Sequence, residues 1–363
     1  MYITNIIKLI LFVFIIFIYK VPLCGQSDFL KGQFWTVGLK EYDASSKQTS
    51  FESTLGYIPT LSLSRDLSNF SFIDFEWAYR FDRKYSSSSL ISKFEKNHRF
   101  WIRYSTEKFE GRIGLQKIVF GPSQILRSLS WFDTFNLKDP TEQTDGVESL
   151  RLRYYPSNSV SYWGWVIRDK FNNYSVGCRS EISTNIGEWG FTLHHDPSDS
   201  LQFIGQTGIL INQPNNRVAL DFRYDGAIGF WKESNIVLSN KKKVGAYTFG
   251  IDYTLPIISG IYLMMEIMHI KNYQTTSKNT YAAFMASVPM GAVNQIMFIS
   301  QADYNKNHSY NHIRWSTTYD SFSLNLIVSI NPKRSDYNFS NMNFSDSQFG
   351  FNTGLQLIFI YNH

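Results

Sequence analysis

Hydrophobic and polar residues alternate one for one along most of this chain. Near its end, Phe349, Phe351, Thr353, Leu355, Leu357, Phe359 and Tyr361 fall on one face, and Gly350, Asn352, Gly354 and Gln356 on the other. A side-chain period of two belongs to β-strands, because successive Cβ atoms point to opposite faces. The pattern recurs upstream. Ile73, Phe75, Trp77, Tyr79 and Phe81 alternate with Asp74, Glu76, Ala78, Arg80 and Asp82; Leu150, Leu152 and Tyr154 with Ser149, Arg151 and Arg153. Val218, Leu220, Phe222 and Tyr224 alternate with Arg217, Ala219, Asp221, Arg223 and Asp225, and Phe322, Leu324, Leu326, Val328 and Ile330 with Ser323, Asn325, Ile327 and Ser329. Clusters of Asn, Ser, Asp, Gly and Pro separate the segments, as turns require.

About 19 segments of roughly 8 to 13 residues can be counted, near the ~9–11 residues of a tilted membrane strand. Bacterial single-chain barrels use even numbers, so the expectation is an all-β, antiparallel transmembrane barrel of 18 strands, with 16 as the alternative. The weakest segment runs from Gly226 to Leu238, where Gly229, Trp231 and Glu233 blur the alternation. No domain boundary interrupts the pattern, so residues 26–363 read as one barrel domain.

Periodicity alone fits a soluble sandwich equally well, with polar faces outward and two apolar faces meeting. The two ends of the sequence favour the barrel. Asn352-Thr353-Gly354-Leu355-Gln356-Leu357-Ile358-Phe359 resembles the C-terminal assembly signal of outer-membrane barrels, which implies the barrel-assembly machinery as a partner. At the other end, Lys8 precedes an apolar run from Leu9 to Tyr19, followed by Lys20-Val21-Pro22-Leu23-Cys24-Gly25. The run is too short for a helical span, which needs roughly 20 residues. It reads as a secretory signal cut after Gly25, residues 1–25. The competing reading, lipidation at Cys24, puts a bulky Leu23 where a small residue is usual.

Composition narrows the partners. Removing Cys24 with the signal leaves Cys178 alone, so no intramolecular disulfide can form. The 35 basic residues less Lys8 and Lys20 leave 33 against 30 acidic ones, too even a balance for a dedicated nucleic-acid binder. Thirty Phe, 22 Tyr and 9 Trp suit aromatic girdles at two membrane interfaces, with outer-membrane lipid as the surroundings. No cofactor is implied.

The longest interruption falls between the fifth predicted strand, Phe109–Ile118, and the sixth, Val147–Tyr155. Its 28 residues, Val119 to Gly146, carry Phe120, Ile125, Leu126, Leu129, Trp131, Phe132 and Phe135. So many apolar groups need something to pack against, and folding into the lumen supplies it; an ordinary surface loop is the alternative. Arg103, Arg112, Arg151 and Arg153 fall on the inner faces of strands four to six, and the loop supplies Asp133, Asp139, Glu142 and Asp145. A basic wall facing an acidic loop would set a transverse field across an aqueous passage, and rings of charge are one way that pores select ions. These eight residues are the pore-lining candidates; pairing within a polar lumen is the alternative for each.

The stretch Gly111-Arg112-Ile113-Gly114-Leu115-Gln116-Lys117-Ile118-Val119-Phe120-Gly121-Pro122, continued by Leu126-Arg127 and Trp131-Phe132-Asp133, resembles outer-membrane porins, the alginate-export-like proteins among them. The resemblance runs from Arg112 to Arg153, with the C-terminal strand besides. It implies a barrel of 16 to 18 strands with an arginine-bearing lumen that passes some solute; taken with the two chain ends and the charged inner faces, the expectation is a porin-like channel for passive diffusion of small hydrophilic solutes in the outer membrane of a Gram-negative bacterium. It carries over no substrate-binding residue.

Two other classes remain open. His194-His195-Asp196, at a predicted extracellular strand end with Ser198 and Ser200 nearby, could supply the base and carboxylate of a barrel hydrolase acting on lipid or peptide. Sequence proximity is weak support for such an arrangement, and Asp196-Pro197-Ser198-Asp199 reads more simply as a turn. A plugged, non-conducting barrel that docks partners is the other class. Calcium binding by Asp139, Glu142 and Asp145 lacks the spacing of a calcium loop.

Overall fold

A computed structural model of the chain describes residues 30–363 except 44–47, 69, 87–88, 134–143, 205–208, 258, 276–277 and 333–352. Residues 1–25, expected to be a secretory signal, therefore lie outside the described residues, as do Phe349, Phe351, Asp139 and Glu142.

The strands follow in chain order as β1 (Leu30–Asp43), β2 (Gln48–Ser68), β3 (Ser71–Ser86), β4 (Ser89–Thr106), β5 (Phe109–Gln116), β6 (Val147–Ser157), β7 (Val160–Arg168), β8 (Tyr174–Thr184) and β9 (Gly187–Asp196). After two short strands, β10 (Gln202–Phe203) and β11 (Leu210–Ile211), come β12 (Asn215–Tyr224), β13 (Gly229–Ser239), β14 (Lys243–Leu255) and β15 (Ile261–Asn272). The chain ends with β16 (Lys278–Met290), β17 (Asn294–Asp303), β18 (His308–Thr318), β19 (Phe322–Ile330) and β20 (Thr353–Asn362). β10 and β11 pair only with each other; the remaining 18 strands form one sheet.

Every neighbour in that sheet is antiparallel and sequential, with β9 passing to β12. β20 returns to β1, Gln33 opposite Asn362 and Tyr42 opposite Thr353, which closes the barrel. Closure leaves no edge strand, so backbone N–H and C=O groups find partners without water. The expected 18 strands are present. The blurred segment is the true strand β13, in full register with β12 and β14.

Connections at one end of the barrel, such as those after β2, β4, β6 and β8, are two to five residues long. Both described chain ends lie there too, where Gly32 N–H donates to the His363 carbonyl at 2.9 Å. The long connections, 117–146, 197–214 and 331–352, all leave the opposite end. Barrels of this kind keep short turns in the periplasm and long loops outside, which sets the extracellular end.

Outward positions are apolar and exposed: Phe249, Ile251, Met265, Ile267, Ile313, Leu355 and Leu357 are examples. Inward positions are polar along much of the wall, but not everywhere. The inner face of β20 begins with Gly354 and Gln356, as its alternation predicts, then turns apolar at Ile358 and Ile360. These two join Trp35, Val37, Ile58, Ala78 and Ile327 in an apolar cluster inside the barrel. A smooth barrel sequence would keep these positions polar; here the lumen itself has a packed interior.

Indole rings lie flat across inward glycines of the next strand. A Cβ at Gly56 would overlap the Trp35 ring, and one at Gly250 the Trp231 ring. We expect Gly56→Val to displace Trp35 and lower unfolding stability in detergent by about 1–3 kcal/mol, the usual cost of overpacking. Urea unfolding followed by tryptophan fluorescence measures this, and an unchanged midpoint would contradict the packing.

Candidate functional site

The connection that leaves β5 turns into the barrel. Gly121, at φ +91°, makes the bend, and a Cβ there would strike the Glu233 carboxylate. From that point the chain crosses the lumen as a chord, from β5 to the inner faces of β13 and β15. Five barrel strands separate β5 from β13 around one side of the wall, so these contacts exist only because the segment cuts across.

Two buried carboxylates receive it. Glu266 accepts the backbone N–H of Gln124 at 2.7 Å, Ile125 at 3.0 Å and Leu126 at 2.5 Å, together with the Trp231 indole N–H at 3.1 Å. Glu233 accepts the N–H of Ser123 at 2.9 Å and of Leu129 at 3.0 Å, and the Ser128 hydroxyl at 2.9 Å. Both side chains are fully buried. A buried carboxylate is costly unless its lone pairs are filled, and backbone N–H donors to a carboxylate make strong, short bonds. Loop carbonyls are taken up in turn: Leu126 C=O by the Thr248 hydroxyl at 2.8 Å, Ser128 C=O by Asn235 at 3.1 Å. The segment makes no regular secondary structure; side chains of the far wall supply its hydrogen bonds instead.

Apolar packing accompanies these bonds. Ile125 and Leu126 enter a pocket of Trp231, Met264, Met268, Tyr281, Met285 and Ile299. Such burial contributes about 1.5–3 kcal/mol per side chain. On the other side, Phe120, Leu129 and Trp131 pack with Trp163, Trp165, Ile167, Ala219 and Val237. The connection between β9 and β12 adds Ile204, Ile209 and Ile211 to the same cluster. Phe120 stacks on Trp165 at 5.7 Å between ring centres, and Phe132 meets His194 edge-on at 5.0 Å.

Cavities lie on both sides of this aromatic septum. The extracellular one, about 670 Å³, has Trp131 and Phe132 for a floor and is lined by Arg168, Lys170, Arg217, Asp169 and Asp196. The periplasmic one, about 450 Å³, lies under Phe120, Gly121 and Pro122, with Arg153, Arg179, Arg223, Glu181 and Asp221 around it. In the β7–β8 turn, burial tends to raise the Asp169 carboxyl, but hydrogen bonds from Asn173 and from the Phe171 N–H outweigh it and hold the group below the ordinary aspartate range.

The four predicted arginines do gather on one stretch of wall, but the acids facing them are wall residues. Glu110 of β5 is the hub, with Arg151 at 2.5 Å, Arg103 at 3.5 Å and Arg112 at 3.7 Å. Arg103 also meets Asp74 at 2.5 Å, and Arg153 meets Glu181 at 3.8 Å. Arg153 lies 3.5 Å over the Trp163 ring and Arg112 4.2 Å over Trp101. Of the loop acids, Asp133 pairs with Arg127 of the loop itself at 2.6 Å, and Asp145 with Lys96 at 2.6 Å. Asp139 and Glu142 lie outside the described residues.

The histidine pair divides across the wall. His194 points inward and accepts from the Trp165 indole at 3.3 Å; His195 points outward, 2.8 Å from Asn216. Asp196 is engaged by Arg217 and by Gln202, each at 2.9 Å. Among the described residues no group of His, Cys, Asp and Glu is placed to hold a metal.

Three solved barrels place the fold. No protein-family model and no curated protein matches the chain. The chain is similar to a BenF-like porin of Pseudomonas fluorescens Pf-5, at 9% identity and a TM-score of 0.59 over 92% of this chain and 97% of that one. OccK5 (OpdH) of Pseudomonas aeruginosa matches at 7% identity and 0.57, over 93% and 99%. OprD of the same species matches at 8% and 0.57, over 92% and 94%. The fold is that of the outer-membrane porins.

Removing both receivers should free the chord. We expect the double variant Glu233→Ala/Glu266→Ala to lose about 3 kcal/mol or more, since at least five backbone donors lose their acceptors. Limited proteolysis of the folded barrel should then cut between residues 120 and 130. Protection equal to wild type would mean that the carboxylates do not hold the segment.

Proposed function

We propose that the protein is an outer-membrane channel for passive diffusion of small hydrophilic solutes, narrowed by its own 117–146 connection. One observation carries the reading. The connection is strapped to β13–β15, so the charged faces of β6–β9 and β12 are left lining a cavity on each side of it. A solute entering from outside meets Arg168, Lys170 and Arg217 first, then the septum of Phe120, Trp131 and Phe132, then Arg153, Arg179 and Arg223. Acids accompany the cations at both levels, so a dipolar solute finds partners for both of its ends. The barrel's low-dielectric wall strengthens each such contact relative to bulk water.

The loop acids were expected to face the arginines; Glu110, Asp74 and Glu181 take that place among the described residues. The wall therefore carries alternating charges rather than a one-sided field. Counting arginines against carboxylates, the β4–β6 patch still has net positive charge, which favours anions. A non-conducting docking barrel is the second reading, and the packed septum is the observation that favours it. His194 and Asp196 share the inward face, but Asp196 is taken up by Arg217 and Gln202 and His194 by the Trp165 indole, an arrangement that does not favour the hydrolase reading.

Charge reversal tests the channel assignment. With Arg151 and Arg153 both changed to Glu, the reversal potential in a salt gradient should move toward cation selectivity. Identical reversal potentials for wild type and variant would sink the assignment of this wall to the conduction path.

A further inference from the structure

Several cations at the extracellular rim have a carboxylate. Lys84 pairs with Glu52 at 2.6 Å, Lys93 with Glu95 at 3.2 Å, Lys96 with Asp145 at 2.6 Å, and Arg168 with Glu148 at 2.8 Å. One sector differs. Lys241 and Lys242 lie in the β13–β14 turn, Lys243 begins β14, Lys271 is near the end of β15 and Lys278 begins β16. Among the described residues, none of these five lysines has a carboxylate within ion-pair distance.

The register gathers three of them on the outer face. Gly245 stands opposite Lys271, and Lys271 opposite Lys278, at one level across three adjacent strands. Val244, one residue after Lys243, points inward and is buried, so Lys243 points outward. Neighbouring strands lie about 4.8 Å apart, so Lys271 and Lys278 sit side by side and Lys243 lies diagonally above. Two tyrosines brace the group. The Tyr247 and Tyr273 hydroxyls are 2.7 Å apart, and the Lys243 and Lys271 ammoniums lie 5.3 and 4.9 Å from the centre of the Tyr273 ring. Beneath them the outer face is apolar and exposed, through Phe249, Ile251, Ile267, Met265 and Phe284.

We propose that this rim of β13–β16 is a docking surface for a phosphorylated glycolipid of the outer leaflet. Unneutralised ammoniums directly above an aromatic girdle and an apolar track match a headgroup bearing phosphate above acyl chains. Uncompensated lysines repel one another, and an anionic headgroup relieves that repulsion. Basic residues at a membrane surface attract anionic lipid roughly additively. The assignment rests on the outer-membrane reading but not on conduction, because Lys243, Lys271 and Lys278 face away from the lumen.

The refolded chain in neutral detergent micelles is titrated with bisphosphorylated lipid A, with its dephosphorylated form and with phosphatidylglycerol, and bound lipid is counted by native mass spectrometry. The bisphosphorylated form should bind at least about tenfold more tightly than either of the others. Lys243→Gln/Lys271→Gln/Lys278→Gln should weaken it about a hundredfold, whereas the triple Arg variant should retain it. Equal binding of the dephosphorylated form, equal binding of phosphatidylglycerol, or undiminished binding by the Gln variant would each overturn the proposal. So would loss of binding in the Arg variant when its heat-modifiable migration shows a folded barrel. A barrel that binds the glycolipid but carries no current would refute the channel and leave this surface standing.

Discussion

Two carboxylates aimed at backbone amides organise the interior of this barrel. Glu233 and Glu266 lie on strands that are otherwise ordinary members of the wall, and each is buried without a cation in hydrogen-bond contact. A segment lacking secondary structure cannot enter a lumen unless its N–H and C=O groups find partners. The two acids, helped by Thr248 and Asn235, provide them. The septum, the two cavities and the route left between charged faces all follow from this attachment. Closure of the sheet makes the lumen possible; the acids decide how it is filled.

The charged wall obeys the same constraint at lower intensity. Arg103, Arg112 and Arg151 converge on one carboxylate, Glu110, and their remaining cationic surface is spread over Trp101 and Trp163. Guanidiniums stacked on indoles keep fixed directions, so the lumen presents oriented charge rather than mobile side chains. Arg179 and Asp221, joined at 2.6 Å, continue this order under the septum.

Much of the architecture was legible in period-two alternation, because one lipid-facing side must be apolar at every strand. The antiparallel order and the apolar 119–146 connection could be read that way; alternation counted about 19 strands, and only the even-number rule of bacterial barrels brought the expectation to the 18 observed. The partners of that connection could not. Alternation reports which face a residue occupies, not what crosses the lumen to meet it. β13 looked weakest because Trp231 and Glu233 are shaped by the incoming loop rather than by lipid on one side and water on the other. Glu266, a lone acid in Leu263-Met264-Met265-Glu266-Ile267-Met268, was the one available signal for a buried acceptor. Ile358 and Ile360, inward and apolar after Gly354 and Gln356, make sense only where the lumen is packed, which alternation does not report. The four arginines were found by face alone, whereas their partners Glu110, Asp74 and Glu181 needed the register between strands.

On this reading the strapped connection narrows a conducting lumen without sealing it. Single-channel recording of the refolded, signal-free protein in planar bilayers measures that most directly. A narrowed but open lumen gives steady current steps that scale with salt concentration. A heat-modifiable, folded barrel that stays silent at every voltage would contradict it, and would assign the septum of Phe120, Trp131 and Phe132 to a permanent plug.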